Sequence, residues 1–416
     1  LVSRIIKSMI LPWLIWGTAV LCYFNQYFLR ISVNGLAPDL VRNYHINALS
    51  LSIVAASFYY AYMLMQVPGG ILVDRYGPRL ILTFSTLLCA LGCAIFTVFD
   101  TVYFLSLGRF VMGAGAAFAL IGTLNLARVW FSQSQFTMIS GFTLMVGTIG
   151  ALLGGAPLIE LCRAFPMHII TGAATVITTL LSILVWFTVR DSPVSVQKSI
   201  IQSPFFSTLV ESMRSKTVWL AALLAGFLFA PITVFAGLWC IPFLTVIYGD
   251  TILVKHSSAI IFIGLAVGAI LTAKFSQWTQ STVFIIRCCA VVSLLAMIVI
   301  TEGGHIPPVI MLILLFLLGF CIAGYMLLFT VVSKVVSKQA SATAFGLTNF
   351  FQVCIGSLLL PLMGYLLMLG KTMFHGSSAD QYSVLDYQHS MIIMPISLLC
   401  ALVLSFCLKE VGNSDV

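Results

Sequence analysis

Long apolar runs separated by short polar punctuation set the pattern of this chain. The runs lie near 11–38, 48–73, 81–99, 102–128, 136–160, 168–189, 217–248, 256–276, 282–301, 308–333, 341–369 and 389–408. Each approaches or exceeds the roughly 20 residues that cross a bilayer as an α-helix. Lipid offers no partner for a backbone N–H or C=O, so each run must bond internally, and the helix is the way a single run does so. The pattern predicts an all-α membrane protein with twelve transmembrane helices. The longest polar stretch, Arg190 to Lys216, follows the sixth run and carries the helix-breaking pairs Ser192-Pro193 and Ser203-Pro204. It divides the chain into a six-helix half at 1–190, a linker at 191–216 and a second six-helix half at 217–416. A further hydrophilic loop is expected over 370–388, on the other side of the membrane.

Composition agrees. Apolar residues make up 61% of the 416 residues and charged ones 8%, against roughly 25% charged in soluble domains. The net charge of +8 is spread between the apolar runs and forms no dense patch, which argues against a nucleic-acid partner. It reads as topology instead. Thirteen Arg and Lys residues fall on one side of the predicted spans, and four (Arg42, Arg163, Lys255, Lys371) on the other. Cytoplasmic loops carry the excess of positive charge, so the linker and both termini are expected in the cytoplasm. The first apolar run is longer than that of a signal peptide and eleven more follow it, so no cleaved signal is expected.

Chemistry-bearing clusters are sparse. Eleven cysteines show no CxxC or zinc spacing, and six histidines stand singly near span ends. No Ser–His set, HExxH or intramembrane acid pair exists. The reading is therefore no enzyme, no metal and no cofactor. The expected partners are a small-molecule solute and the lipid bilayer, with a coupling proton left open and the chain acting as a monomer. The acids (Asp39, Asp74, Asp100, Glu160 and the rest) all sit at span ends, in loops or in tails, which weakens the case for a titrating carboxylate at mid-membrane.

Polar residues inside the runs are the candidate site. Tyr23, Gln26, Tyr27, Arg30 and Asn34 recur at three- and four-residue spacing and form one stripe on the first helix. A charge at mid-helix costs about 2.5–3.5 kcal/mol on insertion scales, so Arg30 needs water or a partner. Its planar fork suits a carboxylate or phosphate; the competing reading is snorkelling or capping of helix carbonyls. Tyr59, Tyr62 and Gln66 share a face of the second helix. Asn125 is a lone amide in the fourth, as suited to holding helices together as to binding. Trp239, Tyr325 and the pair Asn349 and Gln352 are the second-half candidates. Arg287 is expected to snorkel.

One turn is distinctive. Gly69-Gly70-Ile71-Leu72-Val73-Asp74-Arg75-Tyr76-Gly77-Pro78-Arg79 joins two apolar runs and resembles the signature loop of the major facilitator superfamily of transporters, with Gly70, Asp74, Arg75, Gly77 and Arg79 on its pattern. The fourth run, Gly108-Arg109-Phe110-Val111-Met112-Gly113-Ala114-Gly115, resembles that family's arginine followed by spaced glycines. Gly150 to Gly155 is a partial likeness to its exchanger motif, with Ala151 in place of proline. In the second half, the copy of the signature loop near Gly268 to Gln280 is eroded, with Gln277 where an acid is expected. Narrower resemblances run through Tyr59–Arg79 to carriers of intracellular proteobacteria, some of which import amino acids or nucleosides. Gly108–Val111 with Trp130-Phe131 is similar to the lysosomal dipeptide transporter branch. Ala117 stands where that branch carries an acid, so dipeptide specificity does not transfer.

The resemblance implies two pseudo-symmetric bundles around a midplane site and transport by alternating access. It implies a bacterial cytoplasmic (inner) membrane and a solute such as an amino acid, dipeptide or organic anion. Export of drugs or siderophores is the alternative. The gating set is Gly70, Asp74, Arg75, Gly77, Arg79 and Arg109. Asp74 is expected to sit by the positive N-terminal end of the eleventh helix, near Ser341, and to close the inner mouth.

Overall fold

The computed structural model describes residues 2–191, 205–337, 340–375 and 382–410. Every regular element among them is helical. Helices α1 (Val2–Tyr44), α2 (Ala48–Tyr76), α3 (Pro78–Val98), α4 (Val102–Ala116), α5 (Ala119–Trp130), α6 (Gln133–Gly154), α7 (Ala156–Ala164) and α8 (Met167–Thr188) form the first half. Then come α9 (Phe205–Arg214), α10 (Lys216–Pro231), a π-helix (Ile232–Trp239), α11 (Cys240–Tyr248), α12 (Ile252–Thr279) and α13 (Thr282–Glu302). The chain ends with α14 (Pro308–Ile322), a 3-10 turn (Ala323–Met326), α15 (Leu327–Val335), α16 (Ser341–His375), α17 (Val384–Met391) and α18 (Ile393–Cys407).

Among the described residues eleven helices are long and apolar enough to cross a membrane. The twelfth predicted span is α1 (Val2–Tyr44). At 43 residues it is still about 65 Å long, ample for a bilayer.

The linker span holds one helix, α9, and residues 192–204 are outside the described residues. The loop expected over 370–388 shrinks, because α16 continues to His375 and α17 starts at Val384. Ser383 and Asp386 form a capping box there: the Ser383 hydroxyl accepts from the Asp386 N–H, and the Asp386 carboxylate accepts from the Ser383 N–H. That box nucleates a helix on polar residues that read as loop. Residues 376–381, with Asp380, lie outside the described residues.

Chain contacts divide the protein into two units, Leu1–Tyr44 with Ser57–Ile200, and His45–Ala56 with Ile201–Val416. Each is built the same way. In the first, Gly113 of α4 lies so close to α2 that a Cβ would stand 2.0 Å from the Phe58 carbonyl oxygen. In the second, Gly319 of α14 makes the same approach, 2.0 Å from the Ile261 carbonyl of α12. Small residues replace the hydrophobic drive that lipid removes. Four residues beyond each glycine the helix is interrupted, at Ala117-Phe118 in the first unit and at the 3-10 turn from Ala323 in the second. Hydroxyls are kept out of lipid by bonding back to their own helix, as Thr86 does to Leu82 and Thr348 to Ala344.

Each unit also ties its third and last spans together twice. The Asp191 carboxylate accepts from the Arg79 N–H at the start of α3 (3.0 Å), while the Arg79 guanidinium donates back to the Trp186 carbonyl near the end of α8 (3.1 and 2.9 Å). The second unit repeats this with other residues. Glu410 accepts from the Ser281 hydroxyl and the N–H groups of Thr282 and Val283 at the start of α13. Arg287 donates to the carbonyls of Ser405 and Leu408 at the end of α18. Acid at a helix start and base at a helix end both match the helix dipole. Arg287 therefore caps a neighbouring helix and does not snorkel. Gly77, at φ +82°, makes the turn into α3; a Cβ there would meet Asp191 at 2.8 Å.

Candidate functional site

Helix α1 brings its stripe against α2 inside the first unit. The Arg30 guanidinium carbon lies 4.9 Å from the Tyr59 ring centre, 5.6 Å from Tyr27 and 5.8 Å from Tyr62. Three aromatic faces thus surround one cation, a stabilising arrangement. Arg30 is only 8% exposed. Among the described residues no ion pair involves it. Asp39, the acid nearest along α1, is engaged with Arg42 at 3.0 Å.

The neighbours of Arg30 are set in layers. Gln26, one turn earlier, is 1% exposed, and neither of its amide atoms completes a hydrogen bond. The Tyr62 hydroxyl is near the side-chain amides of both Gln26 and Gln66. Tyr23 packs edge-on against Tyr27 at 5.1 Å and belongs to the apolar core of the unit, with Ile15, Leu126 and Val185. It is a wall residue. Asn34 is buried one turn beyond Arg30.

Arg109 stands behind the cage. It is 1% exposed, donates from its two terminal nitrogens to the carbonyls of Leu29 and Arg30, and lies 4.7 Å over the Phe58 ring. Its contacts fix α1 to α4. With Met112, Cys93, Leu158 and Thr171 it also lines a small, mostly apolar cavity of about 30 Å³, room for about one water. Asn125, on α5, is half-buried.

In the second unit, Trp239 ends the π-helix, buried against Tyr387 at 6.2 Å. Tyr325 sits in the 3-10 turn, edge-on to Phe229 at 4.9 Å. Asn349 and Gln352 share a face of α16 with Gly356, which packs on Thr233 of the π-helix. Sequence reasoning missed Thr233, whose hydroxyl is buried and makes no hydrogen bond, as is also true of the Trp239 indole N–H. The available signal was Pro231 inside an apolar run. A π-turn leaves carbonyls free, and Ser258 of α12 takes that of Ala236.

Of the expected gating residues, Gly77 and Arg79 belong to the clasp with α8, and Arg75 is exposed, its guanidinium 5.4 Å from the Tyr76 ring. Gly70 and Asp74 fall within α2, but the Asp74 side chain is outside the described residues. At the opposite end of α1, Tyr44 donates to Asp100 at 3.2 Å. Partial burial and the Asp100 carboxylate push the Tyr44 hydroxyl pKa up.

The family model described as Major Facilitator Superfamily matches residues 19–361. A probable sulfoacetate transporter of Cupriavidus necator is 25% identical over 43% of this chain and 42% of its own length. A lysosomal dipeptide transporter of Mus musculus is 26% identical over 32% and 30%. Each of these matches covers less than half of the relative. A hexuronate transporter of Escherichia coli is 24% identical over 82% and 84%. Among solved structures, a bacterial homologue of the human lysosomal transporter Spinster superposes with a TM-score of 0.75 at 14% identity, covering 95% and 96% of the two chains. The nucleoside transporter NupG gives 0.73 at 17%, covering 95% and 100%. Such low identities speak for the fold.

Proposed function

The chain belongs to the Major Facilitator Superfamily, and from that premise we propose that it transports a small organic anion across a membrane by alternating access. The observation that carries the choice of an anion is Arg30: a buried cation on a membrane helix, ringed by Tyr27, Tyr59 and Tyr62, with no ion pair among the described residues. A desolvated guanidinium offers two parallel donors to a carboxylate or sulfonate, and few side chains do this as well. Sulfoacetate and hexuronates, named for two relatives, are organic anions, which supports the reading.

Gln26, Tyr59, Tyr62 and Gln66 line the anion's position, and Arg109 sets α1 in place. Trp239, Tyr325, Asn349 and Gln352 are the second unit's own candidate solute-binding residues. Asp74, Arg75 and Arg79 act in gating. The chain works as a monomer in a bacterial cytoplasmic membrane, with both termini inside.

The test is uptake by proteoliposomes holding the purified protein. Sulfoacetate, galacturonate, dipeptides, amino acids and nucleosides are offered with and without a pH gradient, and that comparison decides proton coupling. An anionic solute enters, and Arg30→Lys and Arg30→Gln reduce its uptake at least tenfold. Equal uptake of an anion by the Arg30→Gln protein overturns the reading. Cysteine tagging at positions 77 and 205 checks the topology, which requires both on the cytoplasmic face.

A further inference from the structure

The charge of the solute leaves open what else it carries. Gln26 precedes Arg30 by one helical turn on the same face, a spacing of roughly 6 Å between their Cβ atoms. It is 1% exposed, and neither its Oε1 nor its Nε2 completes a hydrogen bond of good geometry, although the Tyr62 hydroxyl is within electrostatic reach of the amide. Buried amides are ordinarily satisfied. A glutamine serving only to hold helices would bond a neighbouring backbone, as Thr123 of α5 does to the Ala19 carbonyl of α1.

We propose that Gln26 reads a neutral hydroxyl or amide on the solute, about one helical turn from the negative group held at Arg30. The substrate class is then an organic anion bearing a hydroxyl or amide. This rests on the anion reading above and narrows it. The argument is one of matching. Oε1 accepts and Nε2 donates, so both are met by a group that donates and accepts. Hydroxyls and amides do so. An ammonium only donates and leaves Nε2 unmet, which disfavours free amino acids. A methylene chain leaves both atoms unmet. Tyr62 and Gln66 border the same position and extend its donor and acceptor capacity.

The experiment is a melting titration of the purified full-length protein in detergent with glycerate, D-galacturonate, N-acetylglycine, butyrate and alanine. A ligand that binds the folded state raises the melting temperature according to its affinity. At least one of the first three binds ten or more times tighter than butyrate or alanine. Gln26→Leu removes that preference, so that glycerate, D-galacturonate and N-acetylglycine bind no tighter than butyrate. Gln26→Glu places a carboxylate beside Arg30 and abolishes binding of every anion in the panel. Wild-type selectivity in Gln26→Leu, undiminished glycerate binding in Gln26→Glu, or butyrate bound as tightly as glycerate by the unaltered protein overturns the role of Gln26 alone. No response to any anion, with Arg30→Gln indistinguishable from the unaltered protein, overturns the anion reading and this inference with it.

Discussion

Arg109 holds the backbone of Arg30: its Nη2 donates to the Arg30 carbonyl at 3.1 Å, and its Nη1 donates to the carbonyl of Leu29. One buried cation therefore positions the helix segment that presents the other. The link is also aromatic. Arg109 lies over Phe58, Phe58 stacks on Tyr62 at 6.2 Å, and Tyr62 faces Arg30. The cage is braced through the backbone of α1 and through the rings of α2.

Removing that brace has a definite consequence. Arg109→Gln loses charge-assisted bonds in a buried site, worth about 1.5–3 kcal/mol for a bond to a charged group. The melting temperature falls, and solute affinity falls further than the loss of folded protein accounts for. Arg109→Lys keeps the charge but lacks the fork, and its melting and uptake lie between the two.

The cage itself is tested at Tyr59, the ring nearest Arg30. A cation–π contact is worth about 0.5–2 kcal/mol. Tyr59→Phe keeps the ring and lowers anion affinity only a few-fold. Tyr59→Leu removes the ring and lowers it about tenfold, measured by ligand titration of melting.

Helix spacing is tested at glycine. Gly113→Ala and Gly319→Ala each force a methyl into a carbonyl at 2.0 Å. Overpacking of this kind destabilises by about 1–3 kcal/mol, so both variants melt lower and express as less folded protein. Gly141, where a Cβ would meet nothing within 4 Å, is the control: Gly141→Ala melts with the unaltered protein.

Acid should loosen the second clasp. Partial burial pushes the Glu410 pKa up, but the Ser281 hydroxyl, the N–H groups of Thr282 and Val283, and the charge of Lys334 pull it down further. The result lies below the ordinary value of 4.5. A depressed carboxylate pKa contributes stability above the unfolded value, and that contribution is lost as pH falls through the folded value. The melting difference between the unaltered protein and Glu410→Gln is therefore full at pH 6 and shrinks below pH 4.5. The effect is modest, because the group is largely exposed and screened. A difference that stays constant from pH 6 to pH 3.5 refutes this role.

Much of the architecture was legible because lipid simplifies the code. A run of apolar residues can only be a helix there, and the stripe from Tyr23 to Asn34 announced itself by its spacing. What stayed hidden is what hydropathy does not measure. The π-helix at Ile232–Trp239 and the breaks at Ala117 and Ala323 are changes of helical pitch inside uniformly apolar sequence. The clasps at Asp191 and Glu410 pair residues more than a hundred positions from their partners, and no local pattern joins them. Arg287 looked like an interfacial residue because its acceptors are backbone carbonyls, which carry no sequence signal. The shared faces of α1 and α2 could be read separately, but their meeting around Arg30 required the fold.

The two halves repeat the glycine approach and the break four residues later, yet Arg109, four residues before Gly113, has Leu315 as its counterpart before Gly319. The joint is thus present in both halves and its rivet in one. The halves are not mechanical equals: the first resists deformation at that joint with charge, the second with shape alone.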